Sequence, residues 1–275
     1  MQFDSLKEKC EYYRSLGEHR LMPNGHIIMM LDGRAFSKLI KNKFKKPFDE
    51  NFINMMNETA KYLCENISGV KFAYVQSDEI SLYIHDDSMS GSFFGLRQTK
   101  LLSIPAAMAS GKFNQLYITH NFESLDGTFS KPECVVNDLI KTVKKQKLAE
   151  FDCKVWNVPN ENDVFAWFLY RQLDCIRNSK QQTAQTWLPH KMLSGNDSDE
   201  QIAILKQKEG IDWYDFAGGM KYGRLIKKVE REVEIPKQYV KDGITTTLRT
   251  YWEPFDMPEL NTEEGKSEIL QLIEN

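Results

Sequence analysis

Two apolar stretches, Val70–Val75 and Ile80–Ile84, are separated by only four polar residues, Gln76-Ser77-Asp78-Glu79. Apolar runs of that length with so short a link predict two antiparallel strands joined at a sharp turn. An earlier run, His26–Leu31 (HIIMML), stops at Asp32-Gly33 and reads as a buried strand ending in a turn. Between them, Phe48–Asn66 repeats apolar residues at spacings of three and four: Phe52, Met55, Met56, Ala60, Leu63 and Cys64. That period predicts a helix facing a core, with Asp49 as its N-cap after Pro47. Beyond the hairpin, Lys100–Phe113 reads as a helix that Pro105 either begins or kinks, and Cys153–Asn157 as another strand. The order is strand, helix, strand, strand, helix, strand, the split βαβ order of a ferredoxin-like sheet. An α+β fold follows, an antiparallel sheet with helices on one face.

The rest of the chain reads as an extension of that unit. Phe3–Leu16 is a charged helix, and Asn162–Leu188 is the longest helical pattern, with Phe165, Trp167, Phe168, Leu169, Leu173 and Ile176 apolar. From about Asp212, short strands alternate with basic loops, and Ser267–Ile273 is a helical tail. We therefore expect a catalytic core over residues 1–150, a helical and basic extension of the same domain over 151–250, and a C-terminal tail over 251–275.

With 41% hydrophobic and 27% charged residues the composition is that of a globular protein. It contains no run of about eighteen apolar residues that would span a membrane. The N-terminus, MQFDSLKEKCEYYRS, has charges where a signal peptide needs an apolar stretch, so a cytoplasmic location is expected. The five cysteines are widely spaced, with no CxxC and no Cys/His cluster, which predicts reduced thiols and no structural zinc. A net charge of −3 excludes a surface that is basic throughout. Contact with nucleic acid would have to be local, at Lys41–Lys46, Lys141–Lys147 or Lys221–Lys228; each run taken singly is a solvated face. Trp187 and Trp213 are candidates for stacking on bases, although a place in the core is the ordinary fate of a tryptophan.

In the expected topology the end of the first strand and the hairpin turn lie on adjacent central strands, bringing Asp32 and Asp78 to one edge of the sheet. Two carboxylates held at turns suit Mg²⁺, which takes oxygen ligands and retains water and phosphate oxygens. A pair of such ions can hold both the attacking and the leaving oxygen of a phosphoryl transfer. Gly33 would bring its carbonyl close to the metal, the backbone of Arg34-Ala35-Phe36-Ser37 would cradle a triphosphate, and Lys46 and Lys100 would meet phosphate oxygens. Taken alone, an Asp-Gly is more often a turn signal than a metal site, and an SDE more often a solvated loop.

The stretches LDGRAFSKLIKNKFKKPFDE (Leu31–Glu50), AYVQSDEISLYI (Ala73–Ile84) and Arg97-Gln98-Thr99-Lys100-Leu101 together resemble the tRNA(His) guanylyltransferase family. The likeness is closest to its repair-type branch of 3′–5′ RNA polymerases. It is strong over residues 25–115 and fades toward the C-terminus. The resemblance implies a polymerase-like palm and nucleotide addition to the 5′ end of tRNA. It implies two Mg²⁺ ions, ATP and GTP as substrates, and a homotetramer. It makes Asp32 and Asp78 metal carboxylates, Gly33 a backbone ligand, and Glu79 a supporting catalytic acid. Asp32 to Ser37, Ser77 and Asp78 become nucleotide-binding positions, and Lys46 and Lys100 phosphate-handling lysines.

Two departures bear on specificity. Ser37 stands where the family commonly has His; a hydroxyl donates to phosphate but carries no charge. The members specific for tRNA(His) carry a HINNLYN-like helix start, whereas this chain reads WNVPNENDVFAWFLYRQLDCIRNS (Trp156–Ser179), similar to the repair-type relatives. On that helix Arg171, Asp174 and Asn178 share one face with Arg177 beside it, a polar stripe suited to a triphosphate or RNA backbone, or else a surface salt bridge. Lys221 and His190-Lys191 are further candidates for RNA contact. The expected activity is template-dependent repair of the tRNA 5′ end. The alternatives are addition of a single G to tRNA(His), a palm-fold enzyme acting on free nucleotides, and a catalytically inert RNA-binding module.

Overall fold

The computed structural model describes residues 3–41, 43–85, 91–123, 147–235, 238 and 245–274. Its helices and strands, in chain order, are α1 (Leu6–Ser15), β1 (His26–Gly33), α2 (Phe36–Ile40), α3 (Glu50–Asn66), β2 (Val70–Gln76), β3 (Glu79–Ile84), α4 (Gln98–Glu123), β4 (Phe151–Val158), α5 (Glu161–Trp187), α6 (His190–Leu193), α7 (Ser198–Glu209), α8 (Gly218–Lys221), β5 (Arg224–Glu234), β6 (Thr246–Asp256) and α9 (Glu263–Glu274). The six strands form one sheet in the order β4-β1-β3-β2-β5-β6, and every neighbouring pair is antiparallel. The first four strands have the ferredoxin-like order, with β1 and β3 at the centre of that unit.

The alternation of side chains along each strand divides the core into two layers. Ile27, Met29 and Leu31 of β1 point with Ile80 and Leu82 of β3 toward α3 and α4, which contribute Met56, Ala60, Leu63, Leu101 and Phe113. The side chains of Ile28, Tyr83, Phe72 and Tyr74 point the other way, onto Val164 and Phe168 of α5 and onto Ile269 and Ile273 of α9. The two helices of the βαββαβ unit thus cover one face, as its order predicts, and the extension covers the second. A boundary at 250/251 would cut through β6, and α9 belongs to the second core layer rather than to a free tail.

Local chemistry explains the element ends. Asp49 caps α3 by accepting from the N–H groups of Asn51 and Phe52, and Asn160 caps α5 by accepting from Asp163. Pro105 lies inside α4 instead of starting it. A proline has no N–H for the carbonyl four residues back, and that carbonyl, of Leu101, accepts from the Cys153 thiol at 3.4 Å.

Gly33 ends β1 where the chain folds back on itself. A β-carbon there would stand 2.4 Å from the Phe36 ring, and Phe36 is buried in the core. Gly33→Ala is therefore expected to destabilise the protein by about 1–3 kcal/mol, read as a lower urea midpoint at unchanged slope. An unchanged midpoint would mean that the Phe36 ring yields freely.

Candidate active site

The β1 terminus and the β2–β3 turn meet as the topology requires. Asp32 is in register with Glu79 on one side and with Asp152 of β4 on the other. The Gly33 N–H donates to the Asp78 carbonyl at 3.1 Å. Ser77 adopts a left-handed conformation with φ of 44°, unusual for a residue with a β-carbon, and its Oγ donates to Asp78 Oδ1 at 3.0 Å. The tight turn places the Asp78 carboxyl beside the end of β1.

Burial sets the electrostatics of these acids. It raises the Asp78 carboxyl to about 6, against the Ser77 hydrogen bond and with a smaller push from Asp32. Asp32 is raised by burial and then by the negative charge of Asp152. Glu79 is raised by burial too, but Arg171 opposes the shift. Arg171 donates through Nε and Nη2 to the two Glu79 oxygens at 2.8 and 2.5 Å, so the pair is bidentate.

Asp32 and Asp78 are thus half-buried acids whose neighbours include further acids. A divalent cation would relieve the repulsion. Among the described residues no group of three or more His, Cys, Asp and Glu side chains is set to hold a metal. Two carboxylates with the remaining positions open fit Mg²⁺, which keeps water and phosphate oxygens in its shell. The donor set therefore fits the metal that the sequence suggested.

These acids open on a cleft of about 290 Å³. Asp32, Ser77, Asp78 and Glu79 form one wall, Lys45 and Lys46 with Phe44, Phe48 and Phe52 another, and Arg171, Asp174, Asn178 and Gln182 of α5 a third. The polar stripe on α5 faces this space, and its members are already paired. Asp174 accepts from Arg171 at 3.1 Å and from Asn178 at 3.2 Å, and it also pairs with Arg177. Gln182 donates to the Pro47 carbonyl at 2.7 Å and ties α5 to the lysine-bearing loop.

Other candidates lie outside the walls of this cleft. Gly33 to Ser37 run on from Asp32: Arg34 pairs with Glu150 at 2.9 Å, Ala35 has a φ of 55°, and Ser37 is exposed. Phe36 is buried in the core. The N–H groups of Phe36 and Ser37 open the first turn of α2, where a helix offers them no acceptor. Lys100 stands in the first turn of α4, on the sheet face opposite α5. The Lys221 ammonium donates to the Tyr214 carbonyl at 2.7 Å and packs over the Trp213 ring.

Trp213 is in the core, with Nε1 donating to Ser179 Oγ at 3.2 Å. Trp187 is 40% exposed at the end of α5, a correction to the buried place expected for it. Of the basic runs, Lys45 and Lys46 reach the cleft and Lys227 pairs with Glu268. Lys141, Lys144 and Lys145, like Cys134, lie outside the described residues. The described cysteines are free; burial raises the Cys153 thiol to about 12, so it is no nucleophile at neutral pH.

Sequence reasoning missed Asp152 and Arg224. Asp152 becomes Asp32's neighbour only once β4 is laid beside β1. Arg224 sits in a basic run and reads as solvated, yet it is 8% exposed and lines the cleft.

The family model for tRNAHis guanylyltransferase (Thg1) matches residues 7–159. The tRNA(His) guanylyltransferase of Debaryomyces hansenii is 27% identical over 199 residues, covering 71% of this chain and 68% of that protein. A bacterial tRNA(His) guanylyltransferase (Thg1)-like protein in complex with ATP superposes with a TM-score of 0.74 at 26% identity, covering 98% of this chain and 99% of the other. A structure of the same description in complex with GTP gives 0.67 at 25% identity, with the same coverage. Among the described residues no helix is long and apolar enough to cross a membrane.

Proposed function

Because the chain belongs to the tRNAHis guanylyltransferase family, we propose that it is a nucleotidyltransferase that extends the 5′ end of tRNA in the 3′–5′ direction against a template. The observation that carries this reading is the cleft joining Asp32 and Asp78 to Lys46 and the polar face of α5. It offers carboxylates for metal, a lysine for phosphate, and apolar walls for a base.

The chemistry has two stages. In the first, a 5′-monophosphate oxygen of the RNA attacks the α-phosphorus of a nucleoside triphosphate, usually ATP, and pyrophosphate leaves. In the second, the 3′-hydroxyl of an incoming nucleotide attacks the activated 5′ phosphorus, and the nucleoside monophosphate leaves. An RNA that already carries a 5′-triphosphate enters at the second stage. Asp32, Asp78 and the Gly33 carbonyl would hold two Mg²⁺ ions, which supply a nucleophile at neutral pH and charge stabilisation at phosphorus. Lys46 orients phosphate oxygens beside the turn of Ser77 and Asp78. Glu79, with both oxygens held by Arg171, fixes the start of β3 beside Asp32 and acts as a positioning acid.

Repair is favoured over addition of a single G by three features. The match to the bacterial Thg1-like protein runs over nearly the whole of both chains. Ser37 replaces the common His, and the start of α5 lacks the HINNLYN-like sequence. ATP and GTP are the nucleotides bound by the bacterial relatives, and the homotetramer is carried by resemblance.

The test is incubation with Mg²⁺, all four nucleoside triphosphates and two 5′-labelled tRNAs, one lacking its first nucleotide and one an intact tRNA(His) without the extra G. Template-matched extension of the truncated tRNA is expected. A single G added only to tRNA(His) would assign the dedicated activity, and triphosphate consumed with neither RNA extended would point to a free-nucleotide enzyme.

A further inference from the structure

Arg224 opens β5 opposite Val75 of β2, just before the turn that carries Asp78. Its guanidinium is buried, and burial lowers its proton affinity. Its hydrogen-bond partners are neutral: Nε donates to Asn57 Oδ1 at 3.1 Å and Nη1 to the Gly219 carbonyl at 3.3 Å, while Asp256, its register partner on β6, acts on the charge through space and raises its proton affinity. Nη2 has no acceptor, and no ion pair joins the side chain among the described residues. A buried cation with no carboxylate hydrogen-bonded to it is unfavourable unless an anion supplies that contact. In the same protein the part-buried Arg171 pairs directly with two carboxylates, which Arg224 does not among the described residues.

Arg224 forms part of the wall between the nucleotide cleft and a second cavity of about 290 Å³. That cavity is also lined by Glu50 and Asp256, which disfavour an anion there. The cleft carries acids too, Asp32, Asp49, Asp78, Glu79 and Asp174, but against them stand Lys45, Lys46 and Arg171, cations that the described lining of the second cavity lacks. Resting on the function proposed above, we infer that Arg224 binds a phosphate group within the cleft, brought by the nucleoside triphosphate or by the 5′ end of the RNA. The planar fork of an arginine suits two phosphate oxygens.

The test compares wild-type protein with R224Q and R224K in equilibrium binding, with Ca²⁺ in place of Mg²⁺ to prevent turnover. One arm sets ATP against adenosine. The other sets a 5′-phosphorylated acceptor-stem hairpin against its 5′-hydroxyl form. R224Q is expected to weaken the phosphorylated ligand of one arm about 10- to 100-fold and to leave its phosphate-free partner unchanged. R224K, which keeps the charge but loses the fork, should fall between. Loss in the ATP arm assigns the triphosphate, and loss in the hairpin arm assigns the RNA 5′-phosphate.

Unchanged affinity for both phosphorylated ligands in R224Q would overturn the inference. So would an equal loss for the phosphate-free partners, the signature of a merely structural arginine. If R224Q does not fold, R224K decides alone: a loss confined to a phosphorylated ligand supports phosphate binding, and none refutes it. Wild-type protein that binds ATP but neither hairpin would instead count against the tRNA reading and leave the ATP arm to judge Arg224.

Discussion

Replacing Asp78 by Asn is expected to lower nucleotide addition by about a thousandfold while making the metal-free protein more stable. The loss corresponds to about 4 kcal/mol of transition-state stabilisation, the scale of removing one charged metal ligand from a phosphoryl-transfer site. The gain in stability comes from the same carboxylate. In the folded protein Asp78 titrates near 6 because it is buried, whereas in the unfolded chain it titrates near 4. Between those values the folded state binds more protons, so stability falls as pH rises, and above about pH 6 the full penalty is present. Its size is on the order of 2–3 kcal/mol. The amide carries no such penalty. Urea unfolding in EDTA should show the two proteins equal below about pH 4, with the variant ahead above pH 6. Activity within tenfold of wild type would remove Asp78 from the metal site, and a pH-independent difference would remove burial as the cause.

The second large effect is expected at Arg171. Its side chain and that of Glu79 are 12% and 7% exposed, and their bidentate pairing is the main force opposing protonation of Glu79. Arg171→Met leaves a buried carboxylate without a partner and is expected to destabilise the protein by about 3–5 kcal/mol. Adding Glu79→Gln should recover part of that loss, because the two residues act as one unit. Urea denaturation of both single variants and of the double variant measures the coupling. If Arg171→Met unfolds like wild type but loses triphosphate or RNA binding, the arginine serves the substrate directly and the clamp on Glu79 is incidental.

The contrast between those two residues and their surroundings shows how far the sequence could be read. The βαββαβ order, the N-cap at Asp49 and the placing of Asp32 and Asp78 at strand ends were legible, because helical period, strand alternation and turn chemistry act over a few residues. Trp187 was misjudged because an aromatic in a helical pattern does not reveal which side of the helix will be covered. For Pro105 the sequence left two readings, starting α4 or lying within it, and the structure takes the second, with the Cys153 thiol of β4 donating to the Leu101 carbonyl that the proline leaves without its N–H.

What the sequence by itself determined was the βαββαβ set of elements and the two carboxylate-bearing turns, since each follows from local preferences that survive in any arrangement; the helix Ser198–Glu209 and the long strands β5 and β6 were not read from it. The tertiary structure alone decided what those turns face. Glu79 and Arg171 lie 92 positions apart, Asp152 comes beside Asp32 only through the register of β4 on β1, and Arg224 is buried only because α8 and α3 close over the start of β5. Charge pairing, burial and the resulting proton affinities depend on distance through space. No pattern along the chain encodes that distance until the sheet has chosen its neighbours.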